Sequence, residues 1–383
     1  MSTQPQVHGA CDPRFAAVRD VFAANLAAGR EIGASFAATV EGRMVVDLWG
    51  GHADGARSKA WQRDTIVNVF STTKALTALC AHLLVDRGRL DLDAPVARYW
   101  PEFARGGKDT IPVRMLLSHT AGLAAVRQPL DVAALLDWER FADAIAIQEP
   151  WWAPGTANGY HALTYGHLVG EVVRRLTGCT LGQFLRDEVS GPLDADFHIG
   201  LPASDDGRCG EMVGPTAVER AAAGDGVPRP GSLRARVLGN PTLRPEVANT
   251  PAWRRAEIPA ANGHGNARSV ARVLAALACG GTLGGVRLLG SDTIARAIEP
   301  QAYDRDLVLG FKVKWGLGFM LRARELPLGP NPRTFGHGGW GGSLGFADLD
   351  ARVSWAYVMN KMATGTAGDT RGFALMTALY GAL

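Results

Sequence analysis

The stretch Ile66-Val67-Asn68-Val69-Phe70-Ser71-Thr72-Thr73-Lys74 decides how the rest of the chain is read. An apolar, strand-like run ends at Phe70. A helical pattern follows from Ser71 to about Arg87 and is stopped by Gly88. Residues i and i+3 of a helix share a face, so Ser71 Oγ and the Lys74 amine can approach each other. A serine hydroxyl becomes a nucleophile only when a base takes its proton. A lysine serves when burial or a neighbouring positive charge lowers its pKa from about 10.4 toward neutrality. The first helical turn also offers backbone N–H groups that can hold an oxyanion formed beside Ser71. S-x-x-K alone is common by chance, and the same residues also make an ordinary N-cap serine with an exposed lysine. The motif needs support from elsewhere in the chain.

Support comes from Trp152-Ala153-Pro154-Gly155-Thr156 and the following Asn158-Gly159-Tyr160-His161-Ala162. A tyrosine in a Gly/Pro-marked loop, just before a helix expected over Thr164 to Leu176, can reach into a cleft. Beside a lysine cation its phenol is expected to have a lowered pKa and to shuttle a proton. His161 and His167 read as structural or polar lining. A third feature is Phe335-Gly336-His337-Gly338-Gly339-Trp340-Gly341-Gly342-Ser343. Its glycines let a backbone approach a ligand closely and can supply an N–H donor opposite the one at Ser71. The same stretch imitates two other motifs. Gly336-x-Gly338-x-x-Gly341 matches a dinucleotide fingerprint, but strand-like residues follow where a helix is required. Gly341-Gly342-Ser343-Leu344-Gly345 matches a nucleophile elbow. That elbow needs a following helix and a later histidine, and the last histidine is His337.

Bulk properties exclude several function classes. The 383 residues suggest about two domains or one large one. Hydrophobic residues at 47% and charged residues at 20% are those of a folded globular chain. The net charge is +3, and the basic runs Arg234-Ala235-Arg236 and Arg254-Arg255 are too short for a nucleic-acid footprint. Cys11, Cys80, Cys179, Cys209 and Cys279 are far apart and form no C-x-x-C pair, which suggests free thiols and no cysteine-based zinc site. No H-E-x-x-H occurs, and no metal or cofactor is expected. The polar Met1 to Arg14 lacks a signal-peptide pattern, and no apolar run reaches the ~18 residues of a membrane helix. A cytoplasmic location is expected, with neither a membrane nor a nucleic-acid partner.

The element pattern sets the fold expectation. Phe15 to Ala28 reads as a helix, and Gly33 to Trp49 as a β-hairpin turning at Glu41-Gly42. Helices are predicted over Val113 to Leu117, Val132 to Ala146, Ala267 to Ala278 and Thr370 to Tyr380. Strands are predicted over Leu317 to Arg322, Thr334 to His337, Ser343 to Asp348 and Ser354 to Met359. Residues 201–261 are rich in Gly, Pro, Ala and Arg with weak periodicity, and read as an irregular segment able to cover a site. The order suggests an α+β fold: residues 1–65 and 290–383 form a domain with an antiparallel sheet flanked by helices. Residues 66–289 form an inserted, mostly helical domain.

These residues together resemble the serine β-lactamase and penicillin-binding-protein superfamily, and most of all its family VIII carboxylesterases. The likeness extends to Gly88-Arg89-Leu90-Asp91-Leu92-Asp93-Ala94-Pro95-Val96, Tyr99-Trp100-Pro101 and Met115-Leu116-Leu117-Ser118-His119-Thr120-Ala121-Gly122-Leu123, and covers nearly the whole chain. It implies a β-lactamase/transpeptidase-like fold and a serine hydrolase acting on a small-molecule ester. Ser71 would carry the acyl group, and Lys74 and Tyr160 would move its proton. The N–H groups of Ser71 and Trp340 would form the oxyanion hole, and His337-Gly338-Gly339 would line the substrate strand. His337 stands where β-lactamases carry a lysine, Gly338 where they carry a threonine, and Ala162 where class C enzymes carry an asparagine. Those departures favour neutral esters, possible lactones included, over β-lactams and other amides. A β-lactamase or D-amino-acid peptidase, an acyltransferase and a catalytically silent scaffold are the competing readings.

Overall fold

The computed structural model describes residues 6–223, 228–366 and 368–383. Residues 1–5 of the polar lead and 224–227 of the irregular segment lie outside the described residues. The N-terminal strands are Val7–Cys11 (β1), Gly33–Val40 (β2) and Arg43–Gly51 (β3). Glu41 and Gly42 both have positive φ, 50° and 78°. That is the left-handed pair of a two-residue turn whose twist matches its strands. The C-terminal strands are Ala302–Arg305 (β4), Lys312–Trp315 (β5), Met320–Leu321 (β6), Thr334–Gly338 (β7), Leu344–Asp348 (β8) and Val353–Met359 (β9).

Among the described residues these nine form one antiparallel sheet in the order β1-β3-β2-β9-β8-β7-β6-β5-β4. The two chain ends meet at the β2–β9 seam, where Val353 faces Val40 and Met359 faces Ala34. Nearly every residue of both strands is buried, so the sheet centre is covered on both faces.

The helices that place the site are Ala16–Ala27 (α1), Thr73–Asp86 (α2), Thr164–Thr177 (α3), Ala267–Ala278 (α4) and Thr370–Tyr380 (α5). Helix α4 packs on β2, β8 and β9. On β8, Gly345 faces Val270 and Leu274 of α4, while the adjacent Leu344 faces Gly372 of α5. Alternation along one strand therefore separates the two covering layers. Helix α2 is buried from Thr73 to Leu84, its polar Thr73, Lys74, Thr77 and His82 included, and it packs against α3. A three-stranded patch joins Val67–Asn68, His264–Gly265 and Phe197–His198 just ahead of Ser71. No helix among the described residues is long and apolar enough to cross a membrane.

Three local expectations change. The helix predicted from Ser71 begins at Thr73, because Phe70–Thr72 is a tighter 3₁₀ turn. The helix predicted over Val132 to Ala146 breaks at Asp137, whose carboxylate caps the second piece by accepting from the Arg140 N–H at 3.1 Å. The strand predicted over Leu317 to Arg322 shrinks to Met320–Leu321, and Lys312–Trp315 carries most of the pairing instead.

A buried ion-pair cluster ties these layers together. Arg371, in the first turn of α5, donates to Glu31 Oε2 at 2.9 Å and to the carbonyls of Lys361 and Gly341 at 2.9 and 3.2 Å. Burial pushes the Glu31 carboxyl up to about 7, although Arg371 and the Tyr357 hydroxyl favour its charged form. Removing one member of a buried pair leaves the other uncompensated. Arg371→Met is therefore expected to cost about 3–5 kcal/mol of stability in urea unfolding. A loss under about 1 kcal/mol would mean that the cluster contributes little.

Candidate active site

Ser71 follows a strained residue. Phe70 is buried, yet its φ is +43°, a region that bulky side chains rarely occupy. The turn directs Ser71 onto the wall of a cavity of about 460 Å³. Tyr160 and Trp340 line the same cavity, and the Trp340 ring meets Phe70 edge-on at 5.1 Å. Much of the remaining wall is apolar: Leu163, Val308 and Leu309, with Val237, Leu238 and Leu243 from the 201–261 segment. Among the described residues, Arg234 is the one charged residue in the lining.

Lys74 is completely buried on the face it shares with Ser71. Its Nζ lies 3.1 Å from Ser71 Oγ and donates to the carbonyls of Ala162 and Ala260, both at 2.8 Å. Desolvation holds its pKa well below the ordinary lysine range. A neutral amine has two N–H bonds and one lone pair. The two carbonyls can accept only N–H, so the lone pair is left for Ser71.

Tyr160 sits beside this amine, with Lys74 Nζ 4.8 Å from its ring centre. Its hydroxyl is buried and, among the described residues, has no hydrogen-bond partner of good geometry. The expectation of a lowered phenol pKa is corrected here. Burial pushes it above the usual tyrosine range, outweighing the nearby Ser71 hydroxyl. The physical reason is desolvation first, with the nearby Asp306 carboxylate adding to it.

His337, Gly338 and Gly339 lie behind the cavity wall rather than on it. The His337 ring is fully buried at 6.0 Å from Tyr160, and its Nδ1 donates to the Gly338 carbonyl at 2.6 Å. Burial and the nearby Lys74 hold it neutral, down to about 3. A Cβ at Gly339 would meet Ser343 Oγ at 2.2 Å and the Val69 carbonyl at 2.3 Å. Glycine is what lets this turn reach the Ser71 loop.

Ser343 faces away from the cavity. Its Oγ donates to the Val69 carbonyl at 2.7 Å and shares a 2.9 Å bond with Thr72 Oγ1. Ser343→Ala is expected to retain at least about half of the activity and to cost about 1–2 kcal/mol in thermal unfolding, the cost of one buried hydrogen-bonded hydroxyl. A folded but inactive variant would reassign the nucleophile.

Sequence reasoning missed three contributors. The strain at Phe70 has no sequence signal. His119 packs edge-on to Tyr160 at 5.1 Å, and its Nδ1 accepts the His161 N–H at 3.1 Å. It lies inside a quoted landmark, which was its only hint. Asp306 accepts the Tyr160 N–H at 2.9 Å from 146 residues away.

The sheet, the helices packed around it and this serine–lysine–tyrosine group define a class. The chain belongs to the beta-lactamase family, whose model matches residues 18–378. Within it, the chain is similar to a family VIII carboxylesterase of known structure: 46% identity, 99% of this chain and 100% of that one, TM-score 0.92. A penicillin-binding protein homologue from Caulobacter crescentus is 43% identical over 99% of this chain and all of its own, with a TM-score of 0.91. The esterase/beta-lactamase LipL of Mycobacterium tuberculosis is 36% identical over 371 residues, covering 93% of this chain and 83% of LipL.

Proposed function

We propose that this protein is a serine hydrolase that cleaves carboxylic esters through an acyl-enzyme on Ser71. The observation that carries the reading is the Lys74 amine, buried, desolvated and 3.1 Å from Ser71 Oγ. Lys74 takes the serine proton as Oγ attacks the ester carbonyl. The N–H groups of Ser71 and Trp340 stabilise the oxyanion that develops. Tyr160, held protonated by burial, passes a proton to the departing alkoxide. Water then attacks the acyl-enzyme, with the same two groups working in reverse.

Neutral esters suit the site better than β-lactams. The position where β-lactamases carry a lysine is a neutral, buried histidine, and the cavity wall is largely apolar. The relatives described as esterases point the same way, while the penicillin-binding protein homologue keeps penicillins as the second class to test. Five cysteines without disulfides support a reducing, cytoplasmic location. The test is intact mass spectrometry after mixing with p-nitrophenyl butyrate, a fluorophosphonate or a penicillin. Ester turnover with a Ser71-dependent adduct, and no penicillin turnover, is the expected result. Rapid penicillin turnover would move the assignment to a β-lactamase, and no adduct with any reagent would favour a silent scaffold.

A further inference from the structure

Asp306 is 1% exposed and does not touch the cavity, yet five donors converge on its carboxylate. Oδ1 accepts the backbone N–H groups of Tyr160, Val308 and Leu309, each at 2.9 Å. Oδ2 accepts the Asn158 amide at 3.1 Å and the Trp315 indole N–H at 3.3 Å. Four of the five donors come from residues that line the cavity or stack on Tyr160. The Trp315 ring lies parallel to that of Tyr160, 5.8 Å away and tilted by 4°. Val308 and Leu309 form part of the cavity wall. Among the described residues no cation pairs with Asp306, so these neutral donors alone offset its desolvation. An amide could not replace it, because only a carboxylate accepts on both oxygens.

We propose that Asp306 is a positioning residue. It fixes the Tyr160 backbone, the ring plane behind Tyr160 and the 307–309 cavity wall in one frame, so that phenol and substrate reach Ser71 together. The proposal rests on the reading of Tyr160 as the proton-transfer group.

A double-mutant cycle separates positioning from simple stabilisation. Asp306→Asn keeps the Oδ1 acceptor and turns an NH₂ toward Asn158 and Trp315. We expect kcat for p-nitrophenyl butyrate to fall about 10–100-fold with KM little changed, in protein that melts cooperatively. On a Tyr160→Phe background the same change should cost less than about threefold, because its route of action is already lost. Adding Asn158→Asp reverses donor and acceptor, and should restore at least about fivefold of kcat. Equal losses in both backgrounds, or a folded Asp306→Asn enzyme at wild-type rate, would overturn the proposal. If Asp306→Asn does not fold, Asn158→Ala carries the test. It removes one donor, and should lower kcat about three- to tenfold only when Tyr160 is present. Wild-type kcat in Asn158→Ala overturns the proposal. A fully active Tyr160→Phe enzyme would instead remove the proton-transfer reading itself, and the proposal with it.

Discussion

Ser71→Ala is expected to lower kcat/KM for p-nitrophenyl butyrate by about 10⁴-fold or more, and to abolish the covalent adduct seen by intact mass. The size follows from the roles. Without Oγ there is no acyl-enzyme, and the remaining groups can only assist direct attack by water. Folding should survive, because Ser71 is partly exposed on the cavity wall and, among the described residues, the only side-chain bond to its Oγ comes from Lys74. A folded alanine variant within tenfold of wild type would take Ser71 out of the reaction.

Mild acid is expected to destabilise the protein. Six histidines are buried with depressed pKa values: His82 down to about 4, His161, His167, His264 and His337 down to about 3, and His119 well below its ordinary value. Desolvation is the leading cause in each. The unfolded chain takes protons near pH 6.5, while the folded chain takes them only near pH 3–4. Below about pH 6.5 the unfolded state therefore binds more protons, and stability falls with pH until the folded values are reached. Each histidine contributes up to about 1.4 kcal/mol per pH unit. Glu31, raised to about 7, runs the other way, since its folded form gains a proton before the unfolded carboxyl does. Glu257, whose carboxyl burial also raises, acts the same way, and two such groups offset only a fraction of six. The net effect is expected to be a sizeable part of a typical folding stability of about 5–15 kcal/mol. Thermal midpoints should fall steeply from pH 6.5 to 5. A flat profile over that range would show that the histidines are not held neutral.

What could be read in advance follows from how local each feature is. Ser71 and Lys74 were legible because one helical turn brings them together. The hairpin at Glu41-Gly42 and the stops at Gly88 and Gly178 were legible because glycine marks the left-handed backbone that ends an element. Lys74's other partners were not, since Ala162 and Ala260 contribute only carbonyls and lie 88 and 186 residues away. Asp306 was invisible for the same reason. The 201–261 segment carried more signal than its composition suggested: Thr216, Ser232 and Thr250 each cap a short helix within it. Helix α4, within the 66–289 stretch, packs on the sheet. Sequence order does not report that kind of layering.

The β2–β9 seam also sets a timetable for protein synthesis. Ser71 and Lys74 leave the ribosome well before the turn bearing Trp340 and the strand Val353–Met359 that docks on β2. A growing chain that has not yet reached Met359 lacks the final strand of that seam. On the proposed mechanism, Ser71 is made long before the Trp340 N–H that would complete its oxyanion hole. Until then β2 presents an open, apolar edge, and the nascent chain at that stage is a natural client for chaperones.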